Sequence, residues 1–218
     1  MRPPPRLKRS ELVRIIVNDE PSLAPAIAAA VEALRAGRVV AFPTDTLYGL
    51  AVDPRRPDAV ERLFVLKGRD ARSAVPLVAA TLEQAMLVAT FTGRERQAAA
   101  AFWPGPLTIV AAATSAVTPE ALGRQQTVAI RVPAHEIARE LARAFRFPIT
   151  ATSANRSGQP AADSADAVAS ALPDVDVLVD AGRAPGGAPS TIISFEDARP
   201  ILLREGAVPW ERVIKSLQ

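Results

Sequence analysis

The sequence predicts a single α/β domain. Short runs rich in Val, Ile and Leu alternate with stretches of helical periodicity, and no repeat, low-complexity linker or composition break divides the 218 residues. A hydrophobic fraction of 49% is enough for a chain of this length to bury a sizeable core. Residues 1–20 read as a flexible basic lead-in, 21–207 as the domain, and 208–218 as a C-terminal helix packed on it or trailing it.

Ser22 offers an N-cap to an Ala-rich helix over 23–36 that stops at Gly37. Val39–Phe42 is a short β run ended by Pro43, and the loop Pro43–Leu50 follows. A helix over 58–67 places Ala59, Leu63 and Leu66 on one face and ends at Gly68. Leu77–Ala80 reads as a strand, Thr81–Val88 and Gly93–Phe102 as helices, and Leu107–Ala113 and Val128–Val132 as buried strands. His135–Phe145 is helical, and Ile149–Ala151 is a strand leading into the polar loop Ser153–Pro160. A helix near 163–171, strands near 176–180, 190–195 and 200–203, and a helix after Pro209 complete the chain.

Composition excludes several chemistries. There is no cysteine, which removes disulfides, thiol nucleophiles and thiolate metal sites, and a single histidine, His135, cannot build a His-rich metal cluster. No P-loop, no GxGxxG after a strand and no HExxH occurs. A Ser-His-Asp triad would have to use His135, which stands at a helix start where a surface or capping role is the commoner one. No secretory signal is visible, and the charge-free run Gln97–Pro119 is broken by Trp103-Pro104-Gly105-Pro106, so a soluble, cytoplasmic protein with no membrane partner is expected.

The net charge of +3 is too weak by itself to argue for nucleic acid. The basic residues are skewed, however: 23 are Arg and three are Lys, of which Lys8 and Lys215 sit at the ends. Lys67 is the only lysine in the body, which is either chance or a position that needs an ammonium. Hydroxyls, an amide and cations also gather at element ends: Thr44-Asp45-Thr46, Lys67-Gly68-Arg69, Ser153 and Asn155, Ser190-Thr191 and Arg204. Arg131 lies on an apolar strand, where its charge needs a partner. Each has a plain alternative: a solvated helix end for Lys67 and Arg69, an ordinary turn for Ser153–Asn155, a structural carboxylate for Arg131. Together they suit a small anionic ligand such as a nucleotide phosphate, whose chemistry needs positioning and charge neutralisation more than a strong protein base.

These residues fall into an ordered series. It runs Phe42–Leu50, Lys67-Gly68-Arg69, Pro76-Leu77, Trp103–Thr108, Val128–His135, Pro148–Thr150 with Ser153–Gly158, Ser190-Thr191 and Leu202–Gly206. The series resembles the YrdC-like family of L-threonylcarbamoyladenylate synthases, in its short form limited to the catalytic domain, over about residues 20–207. The resemblance implies a twisted, open, mixed β-sheet with flanking helices and a basic concave site. It implies that L-threonine, bicarbonate and ATP give L-threonylcarbamoyl-AMP and pyrophosphate, for modification of the adenosine next to the anticodon in tRNA. It implies catalytic roles for Lys67 and Arg69, the KxR pair, and for Ser153 and Asn155, the SxN pair, around the phosphates. By the same resemblance Thr127, Ala161 and Arg204 would also contact ATP, and Thr46, Arg131, Ala151 and Ser190 the threonine. Mg2+ would accompany ATP without dedicated metal residues or any tightly bound cofactor. Partner proteins would transfer the product to tRNA, which the chain itself would bind weakly if at all. Family members usually carry Pro directly after KxR, whereas here Asp70 follows and Pro76 arrives after a longer run containing Arg72. A rival reading is an RNA-binding module of the same fold without adenylate synthesis, supported by the Arg excess but not by aromatic content.

Overall fold

The computed structural model describes residues 12–70, 73–123 and 125–218; Lys8, the rest of the first eleven residues, Ala71, Arg72 and Arg124 lie outside the described residues. The chain runs through β1 (Val13–Ile16), α1 (Glu20–Arg35), β2 (Val40–Phe42), β3 (Gly49–Ala51) and α2 (Pro57–Lys67). Next come β4 (Leu77–Val78), α3 (Leu82–Ala85), β5 (Ala89–Thr90), α4 (Gly93–Phe102), β6 (Leu107–Ala113) and α5 (Pro119–Leu122). The second half holds β7 (Thr127–Arg131), α6 (Glu136–Phe145), β8 (Ile149–Thr150), β9 (Thr152–Ser153) and α7 (Ala165–Ala171). It closes with β10 (Val177–Asp180), β11 (Thr191–Glu196), β12 (Arg199–Arg204) and α8 (Trp210–Ser216).

The strands form two mixed sheets with flanking helices, where one open sheet was expected. The first has the order β1-β10-β2-β3-β9; the second has β12-β11-β6-β7-β4-β8, with β5 pairing with β6 off that path. The sheets part at Ala151, the one residue between β8 and β9. There the Thr150 hydroxyl accepts the Val52 N–H at 2.8 Å and the Thr150 N–H donates to the Val52 carbonyl at 3.2 Å, which ties β8 to the end of β3. The Ala151 N–H turns instead to the carbonyl of Pro76 at 2.8 Å.

Several boundaries differ from expectation for local reasons. β1 lies inside the stretch read as a lead-in, pairing in parallel with β10 from Val13↔Val177 to Ile16↔Asp180. Its Arg14 guanidinium reaches Asp180 and Asp166, each at 2.7 Å. The N-cap of α1 is Asp19, not Ser22. Asp19 accepts the Ser22 N–H at 3.0 Å while the Ser22 hydroxyl accepts the Asp19 N–H at 3.2 Å, a reciprocal capping box.

The many alanines (43 of 218 by sequence) serve packing. Ala26, Ala30 and Ala33 of α1 are fully buried beside Ile27, Val31 and Leu34, and α1 lies against α6, whose inner face is Ile137, Ala138, Leu141, Ala142 and Phe145. Small side chains let such helices approach each other and the sheet closely, and the fully buried Leu34 alone contributes about 1.5–3 kcal/mol. α8 is packed on α4: the Gln97 amide donates to the Ser216 carbonyl at 3.0 Å, and the Arg212 guanidinium lies 6.0 Å from the Phe102 ring centroid. No helix among the described residues is long and apolar enough to cross a membrane.

Candidate active site

Where the sheets part, a cleft of about 490 Å³ opens, within the usual size of small-molecule sites. Its wall includes Thr44 and Thr46 from the β2–β3 loop, Arg69 after α2, Thr108 from β6 and Arg131 from β7. Ala151, Thr152 and Ser153 enter from the sheet junction, and Ser190 and Arg204 from β11 and β12. Among the described residues, three arginines and no carboxylate line it. Thr46, Arg69, Arg131, Ala151, Ser153, Ser190 and Arg204 are therefore gathered on one cleft wall.

Lys67, Asn155, Thr127 and Ala161 are not on that wall. Thr127 begins β7 and shares its pleat face with Ala129 and Arg131, which do line the cleft, but its hydroxyl donates to Gln125 at 3.3 Å. Ala161 is half-buried beside Ala162, whose carbonyl accepts the Tyr48 N–H at 3.0 Å. Lys67 is buried behind the wall, and its ammonium donates to the Ser153 carbonyl, to the Asn155 carbonyl at 2.9 Å and to Asn155 Oδ1 at 3.0 Å. The KxR and SxN pairs thus form one clamp. Gly68, left-handed at φ +60°, ends α2 between the two cations, so Lys67 goes inward and Arg69 to the cleft. The Arg69 guanidinium donates to Thr152 Oγ1 at 3.3 Å and to the Ala74 carbonyl at 3.0 Å. Ser153 Oγ donates to Asn155 Oδ1 at 2.7 Å, which orients that amide.

The electrostatics follow from cations held close in a half-buried place. Burial, and then the Arg69 charge, push the Lys67 ammonium down to about 8. Burial lowers the Arg69 guanidinium, and burial followed by repulsion from Arg131 lowers that of Arg204. An anion entering the cleft would relieve these penalties. His135 stays outside the cleft wall as the N-cap of α6, without a side-chain capping bond.

Sequence reasoning missed Thr108 and Thr152 as cleft residues. The signal for Thr108 was a hydroxyl on an otherwise apolar strand; it shares a hydrogen bond with Ser190 Oγ at 2.8 Å. The far wall is fastened by Thr191, whose hydroxyl donates to the Val208 carbonyl at 2.6 Å and accepts the Gly206 N–H at 2.9 Å. Gly206 sits so close that an added Cβ would stand 2.1 Å from the Pro189 carbonyl oxygen and 2.7 Å from the Ser190 carbonyl carbon. Gly206→Ala must therefore move the backbone of Ser190, and overpacking of this kind costs roughly 1–3 kcal/mol. Thermal melting is expected to fall by about 2–12 °C, and a variant melting like the parent would contradict this close approach.

A family model for Sua5_yciO_yrdC, described as telomere recombination, matches residues 32–206. The chain is 40% identical over 184 residues to a threonylcarbamoyl-AMP synthase of Pyrococcus abyssi, with 84% of this chain and 54% of that protein aligned. It is 36% identical over 176 residues to one of Chromohalobacter salexigens, with 80% of this chain and 95% of that protein aligned. The chain thus spans about half the length of the first and nearly all of the second. The crystal structure of P. abyssi Sua5 complexed with L-threonine superposes with a TM-score of 0.85 at 37% identity, covering 94% of this chain and 60% of that one. With a family model spanning β2 to β12 and the cleft wall, this chain belongs to the Sua5–YciO–YrdC family.

Proposed function

We propose that the protein is a threonylcarbamoyl-AMP synthase, a nucleotidyltransferase that converts L-threonine, bicarbonate and ATP into L-threonylcarbamoyl-AMP and pyrophosphate. The observation that carries this reading is the cleft wall, which among the described residues offers three guanidiniums, several hydroxyls and no carboxylate. Such a wall suits two anionic ligands at once, an amino-acid carboxylate and a nucleotide phosphate. The name threonylcarbamoyl-AMP synthase carried by family relatives supports a reaction of this class.

On this reading Arg131 receives the threonine carboxylate, and Thr46, Ser190 and the backbone at Ala151 close around the amino acid. Arg69, Arg204 and Ser153 face the phosphates, with the nucleoside extending along β7 towards Thr127 and Ala161 closing the nucleotide side. Lys67 and Asn155 hold the Ser153 turn in place from behind. The threonine amine captures the bicarbonate carbon as an N-carboxylate with loss of water. A carboxylate oxygen then attacks the α-phosphorus, and its bond to the bridging oxygen breaks as pyrophosphate leaves. The guanidiniums neutralise charge growing on the phosphoryl oxygens, so no strong protein base is required.

Among the described residues no group of three or more His, Cys, Asp or Glu is placed to hold a metal ion. On this reading Mg2+ would enter as part of the ATP complex. The product, a mixed anhydride, would pass in the cytoplasm to proteins that transfer it to tRNA. The test is pyrophosphate release with ATP, Mg2+, bicarbonate and L-threonine. Release that needs both threonine and bicarbonate is expected; tRNA binding that falls with salt and ignores ATP, without release, would overturn the reading in favour of an RNA-binding module.

A further inference from the structure

Asp45 is given no role by the chemistry above, yet its surroundings are specific. One carboxylate oxygen accepts the Arg131 Nη1–H at 2.6 Å, and the other accepts the backbone N–H of Ala134 at 3.0 Å. The ion pair joins the β2–β3 loop of the first sheet to the end of β7 in the second, and both side chains are about nine-tenths buried (9% and 11% exposed). Thr44, Thr46 and Arg131 line the cleft, whereas Asp45 does not: it stands behind the guanidinium. Among the described residues, Asp45 is the only side-chain hydrogen-bond partner of Arg131, and it uses one guanidinium nitrogen. The remaining donors of the planar fork stay available, and the Ala134 N–H fixes the carboxylate against rotation.

We propose that Asp45 is a positioning residue that holds the Arg131 guanidinium in the orientation receiving the carboxylate of the amino-acid substrate. The proposal rests on the amino-acid site inferred above and names the group that organises it. A residue that merely neutralised a buried cation would have a different signature. Removing its negative charge from beside an anion site should, by Coulomb's law alone, tighten carboxylate binding. A positioning role predicts the opposite sign, because a free guanidinium must be ordered again each time the ligand binds.

The experiment is calorimetric titration of the whole chain and its variants with L-threonine and, separately, with ATP. For Asp45→Asn, threonine affinity is expected to fall roughly 10–100-fold, the scale on which partners one layer behind a ligand-binding group act. ATP affinity should stay within about twofold of the parent, since the two ligands take different ends of the cleft. In steady state the threonine KM should rise with kcat nearly unchanged. Asp45→Glu keeps the charge but moves the carboxylate, so a positioning role predicts weakened threonine binding there too; it carries the test should Asp45→Asn fail to fold. Parent-like or tighter threonine binding by the folded variants, or lowered stability alone, would overturn the role of Asp45. Failure of the parent chain to bind L-threonine would instead overturn the amino-acid site, and the proposal with it.

Discussion

Lys67→Arg is expected to lower pyrophosphate release by roughly 10²–10³-fold, comparable to losing a donor that organises charge in the transition state. Lys67→Ala should do no worse than a few-fold more. Three acceptors converge on one tetrahedral ammonium, two main-chain carbonyls and the Asn155 side chain. A planar guanidinium on a longer stem cannot reproduce that convergence, and Lys67 is only 3% exposed, so little room exists for it. The loss should appear mainly in kcat, because the clamp acts on the Ser153 turn and not on ligand contact. Lys67 also gives the protein a pH signature. With the ammonium pushed to about 8, the clamp is charged at neutral pH and loses its charge as pH rises through that value. Activity should therefore decline above pH 8, and Lys67→Met should remove that limb of the profile. The stability contribution has the reverse sign to that of an ion-paired lysine. Below about 8 both states hold the proton and the folded state bears the burial penalty; between about 8 and the ordinary 10.5 the folded state releases it first, so this group's contribution rises with pH. A parent profile flat to pH 9.5 would contradict the assignment.

Asp176→Ala is expected to cost about 3–5 kcal/mol of stability, the usual cost of breaking a buried ion pair from one side. Asp176 precedes β10 with a side chain 1% exposed; it accepts from Arg62 of α2 at 2.6 Å and from the Val39 N–H at 2.8 Å. Its loss deprives a backbone donor beside β2 and a guanidinium, 24% exposed, of that partner. Because Arg62 keeps some solvent, the lower half of the range is expected, with melting lowered by on the order of 10 °C. The pair fixes α2 on the first sheet, and α2 carries Lys67 at its end, so the variant should also lose activity before it melts. Melting within 2 °C of the parent would show that α2 is held by apolar packing alone.

How far the sequence disclosed this arrangement can be traced to particular residues. Long elements with their own period were legible: α2 with its Ala59, Leu63 and Leu66 face, the seven-residue β6, and α6. Short strands that exist only through pairing were not. Gly49–Ala51 carries a glycine and no β-branched residue, yet it is buried between β2 and β9, with the Phe42 ring 3.3 Å from where a Gly49 Cβ would sit. Where the two sheets meet, Thr150 bonds through its hydroxyl and its N–H to Val52, 98 residues away, a contact that no local pattern announces.

The site divides in the same way. Residue types in the sequence located the cleft's arginines and four of its hydroxyls, Thr44, Thr46, Ser153 and Ser190, since those positions follow from chain order and turn chemistry. Their partners were hidden because they are non-local: Asp45 and Arg131 are 86 residues apart, Thr108 and Ser190 82, and Lys67 and Ser153 86. The skew towards arginine drew attention to Lys67, and the family resemblance implied a place for it around the phosphates. In the structure the lysine's donors go to carbonyls behind the wall, and Arg69 takes the exposed place.

The most direct measurement is the fate of the bicarbonate carbon. With heavy-carbon bicarbonate, ATP, Mg2+ and L-threonine, mass spectrometry should find threonylcarbamoyl-AMP carrying the label in its carbamoyl group, in step with pyrophosphate. Pyrophosphate released without a labelled adduct, or no adduct at all from folded protein, would contradict the account.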